Sequence, residues 1–536
     1  MRSQSLTAGI TAVSNMDTAR ARSLALAMLI AFAAVAVAGV LLRPLIPIDE
    51  TRYIDVAWEM RVTGDFLVPH KNFEIYTDKP PMLFWLMNLV WFLTGHVSDI
   101  GARLVGPAFG LAAVWGSWRL GARLWDETTG AIAAAVLAGT SFFAIYGGAV
   151  MFDTMLAAAT VGGLLALVSA TSAPGVNRRA WAGFGLALAF GVLAKGPVIL
   201  LHLGPALLTV PLWANSIRRP SGGEIARGAA LALVIALAIV GLWVVPAAIL
   251  GGPEYRHMIL WEQTAGRTVQ SFAHARPWYW LLALTPLLLF PWVWTPSLWR
   301  GLRRLSLSDR ALRLCLIQAG AGLVLFSLVS GKQVHYLIPE LPAVALIFAR
   351  ALIAGGRGEV RGLGALPAAL LVLLAGGAAL AAALGKGDAT TVAMLQPLAP
   401  VAGFAVLCLI LALAALVLPR VAGLATLGLG FVLALLGLIG TTGLAPAYDT
   451  TPIAQILAAH QDQGMAVVTD RYNAEFGFEG RLTKPVDVLE PEQAEAWLST
   501  HPGGMLASEC KAVTRPGEPE YRIHFYGADW CLWQGR

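Results

Sequence analysis

"LALAMLIAFAAVAVAGVLLRPLIPIDETRYIDVAWEM", residues 24–60, passes without a spacer from hydrocarbon into charge. No ionisable side chain interrupts it before Arg43, and then Asp49, Glu50, Arg52, Asp55 and Glu59 follow within a few turns. A run of about 18 or more apolar residues reaches across roughly 30 Å of hydrocarbon. In lipid the backbone must satisfy its own hydrogen bonds within the segment, so the run is a helix. The question it leaves is on which side of the bilayer the charges emerge.

The rest of the chain has the same character. Of 536 residues, 57% are hydrophobic and only 13% charged, where a soluble domain carries about 25% charged residues. Mean hydropathy is +0.68. Apolar runs recur along most of the length and are too long for barrel strands, so the fold class is a polytopic α-helical membrane protein. The net charge of +6 does not point to nucleic acid, because most of the arginine sits in short loops, where it sets orientation. The polar, basic start "MRSQSLTAGITAVSNMDTARARS" reads as a cytoplasmic N-terminus before a retained first helix, since no clear cleavage site follows.

Placing the basic loops 119–123, 178–179, 218–219, 300–313 and 350–361 inside gives crossings near 24–45, 101–120, 129–147, 153–172, 181–195, 197–213, 227–250, 278–299, 313–330, 334–354, 362–385, 399–418 and 421–441. That is about thirteen by the length criterion. "MLFWLMNLVWFL" (82–93) is too short to count and reads as an interfacial or re-entrant helix, with Trp85 and Trp91 at belt-like positions. The expected domains are a cytoplasmic segment 1–23, a transmembrane domain 24–444 with an outer loop 46–100, and a small soluble tail 445–536. In that tail "MAVVTD", "PVDVL" and "GMLASE" read as strands and "EPEQAEAWLSTH" as a helix, an α/β pattern. Cys315 and Cys408 lie in apolar helices and read as packing residues. Cys510 and Cys531 lie in the tail, where a disulfide requires a compartment outside the cytoplasm.

With this threading the polar clusters gather on one face. Ionisable groups are sparse in mid-helix, whereas a transporter concentrates them near the midplane. In the opening loop Tyr53, Val56, Ala57 and Met60 follow a helical stripe opposite Arg52, Asp55 and Glu59, as in an amphipathic helix lying on the bilayer. Asp49, at its start, suits either a helix cap or a catalytic carboxylate. In "TDKPP" the prolines suit the start of a helix. Lys79 is placed to meet an anionic phosphate, and Asp78 either orients it or holds a metal. Asp153 opens an apolar helix and is again a cap or an active carboxylate. In 251–280 the aromatics Trp261, Phe272, Trp278, Tyr279 and Trp280 are explained by interfacial anchoring. Glu262, Arg267, His274 and Arg276 are not. Lys332 and His335-Tyr336 lie just beyond a helix, where Lys332 reads as snorkelling.

Read together, "PIDETRYIDVAWEM", "GDFLVP", "YTDKPPMLFWL", "ARLVGPAFG", "FDTML", "LAKGP" and "GKQVHYLIPELPAVAL" resemble the polyprenyl-phosphate-sugar-dependent glycosyltransferases of the GT-C class. The nearest groups are the aminoarabinose transferases acting on lipid A and their relatives in the protein O-mannosyltransferase superfamily. The resemblance covers roughly the first 350 residues. It implies catalytic carboxylates in the Asp49-Glu50 pair and at Asp153, with Asp49 the main one. It implies donor-phosphate contacts from Arg52, Lys79, Arg267, Lys332 and Tyr336. Asp78 stands where such enzymes commonly carry Glu, and with His274 it is the implied pair for a divalent metal ion.

The expected activity is transfer of a sugar from a polyprenyl-phosphate donor to lipid A or another envelope glycan or protein. It would take place at the periplasmic face of a bacterial inner membrane, with inversion. Two other classes compete. A flippase or transporter of lipid-linked sugar predicts translocation without transfer, and an assembly scaffold predicts no effect on any glycan.

Overall fold

A computed structural model describes residues 16–215, 219–259, 275–355, 364–418, 420–513, 515 and 517–536. The chain forms two compact units, each built from separated stretches. One takes Met1–Gly39, Gly106–Ala378 and Gly403–Leu435; the other takes Val40–Val105, Ala379–Ala402 and Leu436–Arg536.

Among the described residues nine helices are long and apolar enough to cross a membrane. They become ten if Glu127–Ala138 and Ser141–Gly147, bent by 72° at their junction, form one span. Some expected crossings are divided differently. The 181–195 and 197–213 runs join as Arg178–Leu208, continuing through a 3-10 turn at Gly196–Val198. The 278–299 run is broken into Trp280–Leu288, Trp292–Trp294 and Pro296–Leu302, because prolines 286, 291 and 296 remove helix donors and crowd the preceding turn.

The first unit is a helical bundle packed through small residues. Lipid tails are as apolar as leucine, so helices in a bilayer associate by close backbone approach rather than by the hydrophobic effect. A Cβ on Gly185 would lie 2.6 Å from the Ala232 carbonyl oxygen, and one on Gly130 2.3 Å from that of Trp118. Glu127–Ala138 is buried along nearly its whole length. Phe152–Ala170 and Arg178–Lys195 are joined by a short turn and pack as an antiparallel hairpin. The start of the first helix therefore meets the end of the second.

The second unit joins the opening loop to the tail. The loop contributes the helix Asp49–Thr63, a two-residue hairpin of β1 (His70–Lys71) and β2 (Glu74–Ile75), and the 13-residue helix Met82–Thr94. The last rises only about 20 Å at 1.5 Å per residue, too short to span. The tail strands are β3 (Met465–Val468), β4 (Asp487–Leu489), β5 (Met505–Glu509), β6 (Tyr521–Phe525) and β7 (Ala528–Gln534), in the order β4-β3-β5-β7-β6. β3 is parallel to both neighbours; β5, β7 and β6 are antiparallel. Side chains alternate along β3: Met465 and Val467 pack with Ile453 and Leu457, while Ala466 and Val468 pack with Trp497 and Leu498. The expected strands and helix are present. The β6–β7 hairpin is additional, and it closes on Tyr526 and Gly527 with φ of 53° and 81°, the left-handed pair that a tight hairpin turn requires. Cys510 and Cys531 form a disulfide.

Two expectations about the opening loop are corrected. Asp55 and Glu59 do not face water; each is 1% exposed, because the tail covers the face assigned to the bilayer surface. Trp58 Nε1 donates to the Leu482 carbonyl at 2.8 Å, and Asn72 exchanges two hydrogen bonds with the Val486 backbone. Trp91 is likewise buried rather than interfacial, stacked on Phe478 at 5.8 Å between ring centres.

Candidate active site

The opening-loop helix presents two adjacent carboxylates that do different things. Glu50 is buried and gripped by both terminal nitrogens of Arg43, the longer contact being 2.8 Å, and it also accepts from the Ile46 amide at 3.0 Å. Arg103 donates to the Arg43 carbonyl at 2.8 Å, which extends this knot. Such a carboxylate fixes the chain where it leaves the first helix. Asp49 is different: its side chain is 43% exposed. It caps nothing, since the residue at the helix start, Ile48, offers no side-chain cap. Instead Asp49 Oδ1 accepts from Arg52 and from the Tyr53 hydroxyl at 3.1 Å, one turn along the helix. Burial works against the Arg52 charge, but Tyr76, Tyr53 and Asp49 together outweigh it and hold the guanidinium firmly protonated. Asp78 and Lys79 follow in the half-buried turn before Met82–Thr94.

A second cluster lies in the helical bundle. Asp153 is 2% exposed, caps no helix, and accepts from Lys195 at 2.7 Å. The Lys195 ammonium stands 4.9 Å from the centre of the Tyr336 ring, within the range of a cation–π contact. Tyr336 packs edge-on to His335, and His335 against Tyr146. Lys195, in "LAKGP", has no role that its local sequence alone assigns. The signal was present. In an antiparallel helix hairpin the last turn of one helix faces the first turn of the other, so Lys195 meets Asp153. Lys332 neither snorkels nor joins this cluster; it is 2% exposed and donates to the Arg276 carbonyl at 2.8 Å, beside the bridge between Ala275 and Gly331.

A third, unexpected group lies where the opening loop meets the tail. Asp55 and Glu59 are one turn apart and face Tyr472, Glu475 and Lys71. A Cβ at Gly477 would fall 1.9 Å from Asp55 Oδ1, so only glycine permits this approach. Complete burial, reinforced by the neighbouring Glu59 and Glu475, pushes the Asp55 carboxyl well above the usual range. Burial raises Glu59 and Glu475 as well, although Glu59 accepts the Phe73 amide at 2.8 Å. Lys71 is lowered, first by burial.

Arg267, His274 and Glu262 lie outside the described residues. Of the implied metal pair, the structure therefore places only Asp78. Among the described residues no group of three or more His, Cys, Asp or Glu side chains is arranged to hold a metal ion.

Residues 78–245 match the family described as dolichyl-phosphate-mannose-protein mannosyltransferase. The undecaprenyl phosphate-alpha-4-amino-4-deoxy-L-arabinose arabinosyl transferase of Erwinia tasmaniensis is 32% identical over 323 residues, 58% of this chain and 55% of that protein. The chain spans about half the length of the relatives it matches in this way. In structure it is similar to ArnT of Cupriavidus metallidurans. The apo form has a TM-score of 0.73 at 20% identity, and the form bound to undecaprenyl phosphate has 0.73 at 18%; each covers 95% of this chain and 97% of that one. The likeness runs over nearly the whole length of both chains, and this chain has the fold of those structures.

Proposed function

We propose that this protein transfers a sugar from a polyprenyl-phosphate donor to an envelope acceptor, with lipid A the favoured one, at the periplasmic face of an inner membrane. The observation that carries the reading is Asp49. In a helix whose other carboxylates are buried or paired off, it alone is half-exposed, and a guanidinium and a phenol hold its orientation. That is the placement of a general base, or of a group that orients an acceptor oxygen. The matched relatives, named for undecaprenyl phosphate-linked aminoarabinose, and a neighbour of the same fold bound to undecaprenyl phosphate support the donor class. The disulfide supports an extracytoplasmic tail.

In this reading the acceptor attacks the anomeric carbon and the carbon–oxygen bond to the lipid phosphate breaks. The anionic leaving group is met by the opening-loop cations Arg52 and Lys79, because preorganised positive charge stabilises what develops in the transition state. Within the bundle, Lys195 and Tyr336 form a cationic station of their own suited to a lipid phosphate, Asp153 orienting Lys195. One base with no second carboxylate acting as nucleophile implies a single displacement with inversion.

The test is Asp49→Asn in membranes supplied with polyprenyl-linked aminoarabinose and lipid A. Transfer is expected to fall by about 10²–10⁴-fold with expression unchanged; undiminished transfer would remove the base. A flippase is the second reading, favoured by one observation: His202 and Glu340, both nearly fully buried within the bundle, pair at 2.7 Å. Translocation in proteoliposomes without any transfer would establish it instead.

A further inference from the structure

The His202–Glu340 pair belongs to a larger arrangement that ends at Tyr336. Glu340 is 2% exposed and both its carboxylate oxygens are taken: His202 Nδ1 donates to Oε1 at 2.7 Å and Gln318 Nε2 to Oε2 at 2.7 Å. The donors come from two helices, Ile199–Leu208 and Arg310–Leu328. Gln318 turns its amino group to Glu340 although this leaves its own Oε1 buried without a hydrogen-bond partner, an arrangement that costs stability. Gly322, one turn beyond Gln318, makes the room; a Cβ there would lie 2.4 Å from the Glu340 carboxyl. A buried carboxylate in a membrane bundle is expensive, and an apolar residue would fill the space at lower cost. Its presence calls for a role beyond packing.

That role follows from what Glu340 terminates. It is the last residue of the 3-10 helix Val334–Glu340, which carries His335 and Tyr336. Clamping Glu340 from two helices fixes the end of that short helix, four residues from Tyr336. A second path runs through rings. The His202 imidazole packs on Phe326 at 5.1 Å, and Phe326 packs on Tyr336 at 5.7 Å. Tyr336 in turn lies under Lys195, which is held by Asp153.

We infer that Glu340, His202 and Gln318 are positioning residues that hold Tyr336 beneath Lys195 and thereby set the affinity of this station for the phosphate of the lipid-linked donor; the inference rests on the transferase reading above. None of the three touches the donor. They act through Tyr336.

The experiment uses the full-length protein in nanodiscs, with undecaprenyl phosphate as the probe, alongside steady-state transfer. Glu340→Leu is expected to weaken undecaprenyl phosphate binding five- to twentyfold and to raise KM for the donor by a similar factor. KM for the acceptor should stay unchanged. Glu340→Gln, which keeps hydrogen-bonding capacity, is expected to recover most of the affinity. Phe326→Leu leaves the carboxylate clamp intact, gives the same effect in smaller degree, and serves as the readout should Glu340→Leu fail to fold. In a Tyr336→Ala background Glu340→Leu should add less than twofold, because the route ends at that ring. Additive losses in the double variant, or parallel changes in donor and acceptor KM, would overturn the inference. If the unsubstituted protein does not bind undecaprenyl phosphate, the transferase reading itself fails. If it binds and the variants bind equally, only the positioning role fails.

Discussion

Asp49 and Glu50 are chemically close and adjacent, yet only Asp49 is exposed to solvent. Glu50→Ala would leave the Arg43 guanidinium buried without its counter-charge, and breaking such a pair by removing one partner costs about 3–5 kcal/mol. The expected outcome is a marked drop in thermal unfolding temperature in detergent. Asp49→Asn, at a half-exposed position, should leave that temperature nearly unchanged while transfer collapses. The sequence made both carboxylates visible but not their division of labour. The deciding partner, Arg43, lies seven residues upstream at the end of the first helix, and only the path of the chain between the two brings them together. Lys195 was legible for the opposite reason. Its partner follows from hairpin geometry alone, and attention to which helix ends face each other would have placed it.

At the scale of elements, the opening-loop helix shows why amphipathic periodicity is an incomplete guide. The stripe is real, but which face meets water depends on a tail more than 400 residues away, and no local pattern encodes that. The carboxyls enclosed at this contact make it sensitive to pH. Asp55, Glu59 and Glu475 are all raised, so when docked they retain protons that the undocked chain sheds near its ordinary carboxylate values of about 4. Docking is therefore strongest at and below those values and weakens as pH rises through the raised ones. Lys71, being lowered, acts in the opposite direction in the alkaline range below the ordinary lysine value. Hydrogen-exchange protection factors at the Val486 contact, corrected for the intrinsic rise of exchange with pH, are expected to be lower at pH 8 than at pH 5, and Asp55→Asn should flatten the difference. The tail's last hairpin was not foreseen because its turn places Tyr526, rather than Asn or Asp, in the left-handed region. The disulfide closes a 21-residue separation, and replacing both cysteines by serine is expected to cost the tail about 2–4 kcal/mol, read as a lower urea midpoint.

For the whole molecule, composition was enough to establish a helical membrane protein, and the quoted motifs pointed to the fold that the solved structures share with it. The number of crossings was harder to read, because hydropathy along a sequence does not show where proline interrupts a run or where a glycine turn joins two. The proposed orientation makes a prediction of its own. Cysteines introduced at exposed Phe66 in the opening loop and exposed Gly517 in the tail should react in intact spheroplasts with a membrane-impermeant maleimide. One at exposed Ser306 should react only after the membrane is opened. The native free thiols, Cys315 and Cys408, are buried and give a low background.

The close seating of Gly477 on Asp55 bears on how this architecture can be re-engineered. Relatives that differ in their tails cannot simply trade them, since a foreign tail bearing any side chain at that position would collide with the resident loop. The transplantable cassette is discontinuous: the stretch after the first helix must travel with the C-terminal portion, or hybrids will assemble poorly whatever chemistry each parent performs.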